Sequence, residues 1–272
     1  MSSSRRSFFH RSTLRAFVSI LVFVALWEVG ARSKQWFGIA VPWVGNIPAP
    51  TAVLHVWMGL VRDPGYWQSW YLSLLRVLAG FLTAMVIGIP LGLLMAVSRN
   101  FNDTFFPTFE MLRPIPPLAW VPASIIFWPT QELSITFVTF LGAFFTVVIN
   151  VLGGAESIDV RYFQAAQAMG ASKWDTFRRI VLPATVPSIV VGSSVGMGIT
   201  WNVVVAAEMI SGGGSQSGGN GGGLGYFIWN SYVGGAYEQI VVGMISIGIA
   251  GYICSELLRM LGGYLTPWLR TR

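Results

Sequence analysis

The chain has 272 residues, of which 54% are hydrophobic and only 10% are charged, and its formal net charge is +6. Soluble domains carry about 25% charged residues, so this composition excludes a soluble globular protein and indicates lipid as the solvent. The basic residues lie at the ends of apolar runs, as membrane topology requires, rather than on a surface for nucleic acid. With one cysteine, Cys254, and two histidines, the sequence predicts neither a disulfide framework nor a metal site.

Residues 1–15 form a basic tail, which we expect to be cytoplasmic, and residues 16–272 are expected to form one transmembrane domain. Arg5 and Arg6 also lie in a pattern similar to a twin-arginine export signal. A cleavable signal needs small residues at a processing site, and only Val29-Gly30-Ala31 offers them. We therefore expect an uncleaved first membrane helix.

Apolar runs predict an all-α, polytopic membrane protein with six transmembrane helices. A membrane helix needs about 20 apolar residues, and the first and third runs are short. Four prolines crowd the third run, so we expect it to lie inside a helix bundle rather than against lipid. The six runs are 16–31, 70–97, 118–130, 133–152, 187–208 and 239–261.

The distribution of the 17 lysines and arginines predicts the orientation of these runs. Cytoplasmic loops of membrane proteins carry an excess of Lys and Arg. Thirteen basic residues lie on the side that holds both chain ends, three lie on the other side, and Arg76 lies inside a run. Both termini are therefore predicted to be cytoplasmic, together with the loop at about 153–186.

Four residues inside the runs are candidates for a passage: Arg76, Trp201, Asn202 and Glu208. Arg76 either attracts an anion entering from outside or snorkels to the interface, and snorkelling is the favoured interpretation because the polar end is near. Glu208 is either a gate or cavity residue or the interfacial end of a helix. Asn202 lies well inside a run, where an amide requires a partner or a solute.

The polar segment Gln164–Pro183 is predicted to form two short helices under the membrane. Gly170 lies where a left-handed C-cap residue belongs, and Ser172 and Asp175 have the spacing of a capping box. Pro183 and Pro187 are expected to end the second helix and return the chain to the bilayer. Such an elbow either merely connects two spans or binds a partner protein.

Two further features restrict the chemistry. The stretch 211–223 is rich in glycine and predicts a flexible outer loop, but no strand precedes it, so it is no dinucleotide fingerprint. The only lysines are Lys34 and Lys173, and no phosphate-binding loop occurs. The chain therefore carries no loop of this kind for ATP, and it is predicted not to be an enzyme by itself.

The elbow segment resembles the E-A-A-x3-G-x9-I-x-L-P loop of ATP-binding-cassette importer permeases. Six of the seven positions match, and Gln164 replaces the leading glutamate; the matching residues are Ala165, Ala166, Gly170, Ile180, Leu182 and Pro183. Four other segments are similar to the nitrate, bicarbonate, taurine and aliphatic-sulfonate subfamily: Ser73–Phe81, Leu112–Pro122, Val205–Met209 and Gly223–Trp229.

This resemblance implies a type I importer permease fold in a bacterial inner membrane. It implies a second copy of the chain, two ATPase subunits that bind ATP and Mg²⁺ against the elbow, and a periplasmic or lipid-anchored solute-binding protein. The solute is then a small polar molecule, and a small anion such as nitrate, bicarbonate, taurine or a sulfonate is expected. Gln164 leaves the strength of the ATPase contact open, and the glycine-rich stretch leaves the geometry of the outer loop open.

The alternative class is a secondary transporter or channel that works without ATP. Such proteins carry ionisable relays at the membrane midplane and internal repeats. Here no repeat is evident, and the charges within the runs lie toward their ends. An intramembrane enzyme is disfavoured because no run carries paired His, Asp or Glu.

Overall fold

The structure, a computed structural model, describes residues 3–38, 42, 45, 47–210 and 222–269. Within these ranges every regular element is helical, as predicted. The chain divides into two compact units, one of Met1–Tyr66 with Ile228–Met244 and the other of Trp67–Phe227 with Ile245–Arg272. Apart from Gly222 and Gly223, the predicted glycine-rich loop lies outside the described residues.

The first unit contains α1 (Ser3–Ala31), α2 (Ser33–Phe37) and α3 (Pro50–Leu60). Glu28, near the end of α1, accepts hydrogen bonds from the backbone N–H of Thr51 at 3.1 Å and from its hydroxyl at 2.9 Å. Arg32 pairs with Glu28 and also donates to the Thr51 hydroxyl at 2.7 Å. These polar contacts fix the end of α1 against the start of α3.

The helices that position the candidate sites belong to the second unit in whole or for most of their length, except α11, of which only the start belongs to that unit. A short 3₁₀ helix, Pro117–Trp120, precedes α6, and another, Pro267–Leu269, follows α12. The helices are α4 (Pro64–Val97), α5 (Arg99–Leu112), α6 (Val121–Phe127), α7 (Gln131–Glu156), α8 (Val160–Ala168), α9 (Lys173–Thr176), α10 (Leu182–Ile210), α11 (Leu224–Val233) and α12 (Tyr237–Leu265).

Four of these helices are long and apolar enough to cross a membrane: α4, α7, α12 and the continuous helix Lys173–Ile210. They correspond to the second, fourth, sixth and fifth predicted runs. The first and third runs form shorter apolar helices, Phe17–Ala31 and Pro117–Phe127. In the third run the prolines account for the interruption, because Trp128, which precedes Pro129, is already extended. The count of six spans therefore stays a prediction.

The core of the second unit is built around α7, which packs along α10 and against α4. Small residues allow these helices to approach closely. A Cβ atom at Gly154 of α7 would lie 2.3 Å from the Cβ of Ser188, and one at Gly192 of α10 would lie 2.6 Å from the Cβ of Asn150. Nothing larger than glycine fits either contact, so these two glycines permit the close packing of α7 on α10.

Candidate functional site

The polar elbow is formed by α8 and α9, and side chains cap both helices. Asp159 Oδ1 accepts the N–H of Arg161 at 2.9 Å, and Ser172 Oγ accepts the N–H of Asp175 at 3.1 Å. The Ser172 hydroxyl in turn donates to the Asp175 carboxylate. The predicted capping box is confirmed, and it starts the second helix only two residues after Gly170.

The bend between the two helices depends on Gly170, whose φ is +74°. Its N–H donates to the carbonyl of Gln167 at 3.0 Å, and the N–H of Ala171 donates to the carbonyl of Ala166 at 2.9 Å. This pair of hydrogen bonds defines a Schellman motif, in which the left-handed residue is usually glycine because it carries no Cβ. The predicted C-cap is therefore confirmed.

The elbow is attached to the membrane helices through aromatic side chains. Phe163 of α8 and Phe177, which follows α9, pack against a buried cluster that contains Leu93 of α4 and Val147 and Val151 of α7. Because these contacts are apolar and buried, the elbow is fixed on the ends of two membrane helices rather than suspended between them.

The residues that resemble the ATPase-contacting loop are not all at the surface. Gln164 and Ala165 are exposed, whereas Ala166 is only 2% exposed. Of the other matched residues, Gly170 and Leu182 are exposed, and Ile180 and Pro183 are half-buried. Large apolar side chains extend this exposed surface, namely Tyr162, Met169 and Trp174.

The prediction that Pro183 and Pro187 end the second elbow helix is wrong. From α9 the chain passes through a π-helical turn, Phe177–Val181, directly into α10, and both prolines lie within that helix. Proline removes a backbone donor, and the π-helical turn just before Pro183 is where the hydrogen-bond ladder changes its register. The elbow and the long membrane helix α10 are thus one continuous element.

A cluster of charged side chains lies at the opposite end of α7 and α10. Arg76 of α4 donates from Nη1 to Glu208 Oε1 of α10 at 2.8 Å. The other edge of its guanidinium binds Glu132, in the first turn of α7, with Nε at 2.8 Å from Oε2 and Nη2 paired with Oε1. Arg76 is 4% exposed and Glu208 is 0% exposed, whereas Glu132 is 62% exposed. Arg76, Glu132 and Glu208, with Ser73, are called the ionic cluster below.

Neutral donors complete the coordination of Glu208. Ser73 Oγ lies 2.8 and 2.9 Å from its two carboxylate oxygens and accepts the N–H of Leu224 at 2.8 Å. The N–H of Gly225 donates to Glu208 Oε2 at 2.9 Å. The start of α11 is thereby fixed to α4 and α10. A buried carboxylate is stable only when paired and hydrogen-bonded in this way.

The close approach of the chain to Glu208 requires a glycine. A Cβ atom at Gly223 would lie 2.0 Å from Glu208 Oε1. Any larger side chain there would displace the carboxylate.

The favoured interpretation that Arg76 snorkels to the interface is wrong, because its side chain is buried between two carboxylates. Glu208 is likewise no exposed helix end, since its side chain is fully buried. Whether either residue contributes to a passage stays a prediction. The sequence argument missed Glu132, although its position at the start of an apolar run on the predicted side of Arg76 and Glu208 was a usable signal.

Trp201 and Asn202 lie deeper along α10, about two turns from Glu208. Trp201 is 2% exposed and packs in the core, whereas Asn202 is exposed. Both line a groove of about 460 Å³ between α10 and α12, with Gly198 on one side and Tyr252 and Ser255 on the other. The structure thus separates Asn202 from the ionic cluster. Among the described residues no group of three His, Cys, Asp or Glu is placed to hold a metal ion.

Comparison with known sequences identifies a family. Residues 88–271 match the family described as binding-protein-dependent transport system inner membrane component. The chain is 36% identical to a putative ABC transporter permease protein of Methanocaldococcus jannaschii, over 79% of the chain and 78% of that protein. It is 32% identical to the nitrate import permease protein NrtB of Synechocystis, over 93% and 90%. It is 30% identical to the taurine transport system permease protein TauC of Escherichia coli, over 82% and 80%.

Comparison with solved structures agrees on the fold. The chain superposes with a TM-score of 0.56 on a chain of a bacterial alginate ABC transporter, solved in complex with an alginate pentasaccharide-bound periplasmic protein. The match covers 98% of this chain and 96% of that one, at 14% sequence identity. At this identity the likeness concerns the fold alone.

Proposed function

Because the chain belongs to the family of binding-protein-dependent transport system inner membrane components and is thus an ABC importer permease subunit, we propose that its solute is a small oxyanion. The named functions of two relatives, nitrate import and taurine transport, support an anion with a compact, oxygen-bearing head. Since the sequence contains no phosphate-binding loop, we propose that partner ATPase subunits bind ATP and Mg²⁺.

The structure of the elbow supports a role in coupling ATP hydrolysis to movement of the membrane helices. It is capped at both helices, bent at Gly170, attached by Phe163 and Phe177 to the membrane helices, and continuous with α10. An element of this kind transmits a push at its exposed surface to the membrane part without first bending. We therefore assign the ATPase contact to the elbow surface around Gln164, Ala165 and Gly170.

In the proposed orientation both termini and the elbow lie in the cytoplasm of a bacterium, and the ionic cluster lies toward the outer face of the inner membrane. The excess of Lys and Arg on the elbow side supports this orientation. A solute-binding protein, periplasmic or lipid-anchored, would deliver the anion to the outer side. A second copy of the permease would complete the passage.

Transport then follows from two conformations of the complex. ATP binding closes the two ATPases, brings the elbows together and tilts the helices that continue from them, so that the passage opens outward. Hydrolysis reverses the change. This is alternation between two states whose populations a ligand shifts. Asn202, exposed on α10, is proposed to meet the solute, with Glu208 nearer the outer gate.

The test is reconstitution of the permease with its ATPase and solute-binding protein in proteoliposomes. Uptake and stimulated ATP hydrolysis are measured with nitrate, bicarbonate, taurine and an aliphatic sulfonate, and with a neutral sugar and an amino acid as controls. We expect one of the anions to be accumulated and to stimulate hydrolysis. Stimulation and uptake by a neutral solute alone would contradict the proposal.

A further inference from the structure

Arg76 presents its two donor edges to two very different carboxylates. The Nη1 edge faces Glu208, which is fully buried and also bound by Ser73 and by the N–H of Gly225. The Nε–Nη2 edge binds Glu132, and that carboxylate is 62% exposed. One edge therefore binds a side chain held within the protein, while the other binds a side chain that reaches the surface.

The exposed contact has the geometry of oxyanion recognition. Nε and Nη2 bind the two oxygens of one carboxylate side by side, and this fork arrangement is how arginine binds planar oxygen groups such as carboxylates. Nitrate and bicarbonate present two oxygens in one plane in the same way, and a sulfonate presents two of its three oxygens at a similar spacing. The carboxylate of Glu132 thus occupies the position that such an anion would take.

The two carboxylates also differ in how readily they leave the arginine. Separating Glu208 from Arg76 would leave two buried charges unpaired, which is strongly unfavourable. Separating Glu132 leaves the guanidinium paired with Glu208, and the carboxylate that leaves is already 62% exposed. An incoming anion that replaced Glu132 would keep the charge balance of the cluster unchanged. Exchange is therefore confined to the Glu132 edge.

We propose that the Nε–Nη2 edge of Arg76 is an oxyanion-binding site, and that Glu132 is a tethered carboxylate which occupies it until a solute anion replaces it. Glu208 and Ser73 keep the guanidinium in place during the exchange. This inference rests on the proposed import of a small oxyanion. It also gives Glu132 a role in specificity. A solute must displace a carboxylate from the two donors Nε and Nη2 of Arg76, and a neutral solute or one with a single acceptor atom cannot do so.

The test uses the purified complex of permease and ATPase without the solute-binding protein, so that binding to the permease is measured directly. Nitrate, bicarbonate or taurine is titrated against chloride at constant ionic strength, and the melting midpoint reports binding because a ligand of the native state stabilises it. The variants are Glu132→Gln, which removes the competing charge, and Arg76→Lys, which removes the fork. Glu110→Gln is the matched control, because Glu110 pairs with the exposed Arg113 at 3.8 Å.

We expect Glu132→Gln to lower the half-saturating concentration of at least one anion by about two- to fivefold, because the anion then competes with no tethered carboxylate. Glu110→Gln should titrate as the unmodified protein does, and Arg76→Lys should bind more weakly. An unchanged or higher half-saturating concentration in Glu132→Gln would overturn the inference. So would the absence of any saturable oxyanion effect in both the unmodified protein and Glu132→Gln.

Uptake in the full proteoliposome system separates the two proposals. If the unmodified complex accumulates an anion but the Glu132→Gln titration does not shift, only the site assignment fails. If no anion of the panel is accumulated, the proposed solute class fails whatever the titration shows.

Discussion

The elbow and the ionic cluster lie at opposite ends of the α7–α10 pair, and hydrogen bonds of very different sequence range hold them. At the elbow the capping and C-cap bonds join residues two to five positions apart. In the ionic cluster the bonds that join α4 to α7, α10 and α11 connect residues 56 to 151 positions apart. Local sequence therefore specifies the turns of the elbow, whereas the cluster exists only after α4, α7, α10 and the start of α11 have assembled.

The difference extends to exposure and charge. The elbow places polar and apolar side chains at the surface, as a contact for another protein requires, and its stability depends on caps that contribute about 1 kcal/mol each. The cluster removes an arginine and a glutamate from water, so its stability depends on complete pairing. Damage to the elbow should therefore impair coupling more than folding, and damage to the cluster should impair folding first.

The largest effect is expected from Arg76→Met, which leaves Glu208 fully buried without a counter-charge. Removing one partner of a buried ion pair costs about 3–5 kcal/mol, and this should appear as a strong loss of thermal stability of the purified protein in detergent. Arg113→Met is the control, because its partner Glu110 is exposed and the expected cost is below about 1 kcal/mol. Equal losses in the two variants would show that the cluster does not stabilise its end of the bundle.

A smaller loss is expected from Gly223→Ala. The added Cβ would lie 2.0 Å from Glu208 Oε1, and overpacking of this kind costs about 1–3 kcal/mol. Gly198→Ala is the matched control, because no atom lies within 4 Å of a Cβ there and alanine favours a helix interior by up to about 1 kcal/mol. The melting midpoint should thus fall in Gly223→Ala and rise in Gly198→Ala. An unchanged melting midpoint in Gly223→Ala would contradict the close contact.

At the elbow, Gly170→Val places a β-branched residue at φ +74°, a backbone conformation that costs about 1–2 kcal/mol for residues with a Cβ. We expect uptake to fall while the ATPase still hydrolyses ATP and the melting midpoint of the membrane part changes little. Gly170→Asn is the control, since asparagine tolerates the left-handed conformation. Uptake by Gly170→Val at the unmodified rate would remove the coupling role from the elbow.

The smallest effect on stability is expected from Ser172→Ala, which removes the cap of α9. Loss of an N-cap hydroxyl costs about 1 kcal/mol, and hydrogen exchange of the backbone amides at 173–176 should report it as faster exchange. Ser172→Asp should retain slow exchange because aspartate also caps helices. Identical exchange in Ser172→Ala and the unmodified protein would show that the serine cap does not stabilise this turn.

The asymmetry between the two ends also explains what the sequence could predict. Gly170 and the Ser172–Asp175 pair were identified because their partners are a few residues away, where spacing rules apply. The pairing of Arg76 with Glu208 and Glu132 was not, because nothing local indicates which distant carboxylates meet an arginine. The expectation that Arg76 snorkels to the interface rests only on its distance from the polar end of the run 70–97. Such a distance takes no account of partners from other helices.

Other differences arise from the backbone. Pro183 and Pro187 are ordinary helix-ending signals, but a π-helical turn before Pro183 allows the helix to continue. The long runs 70–97, 133–152, 187–208 and 239–261 are helices, as predicted. The first of these helices extends beyond its run only at the N-terminal end, and the other three extend beyond both ends. Hydropathy could not decide whether the short runs 16–31 and 118–130 cross the membrane. Their apolar helices, Phe17–Ala31 and Pro117–Phe127, have 15 and 11 residues, which is fewer than the roughly 20 that a membrane helix needs.

The continuity of the helix from Lys173 to Ile210 has a mechanical consequence. Its 38 residues give a lever arm of roughly 57 Å at 1.5 Å per residue. Each degree of rotation about the elbow end displaces the far end by about 1 Å, and Glu208 lies within the last turn of that end. Hydrogen bonds lose most of their strength when stretched by a fraction of an ångström to an ångström. A rotation of only a few degrees is therefore enough to decide whether the Glu208 contacts are made or broken.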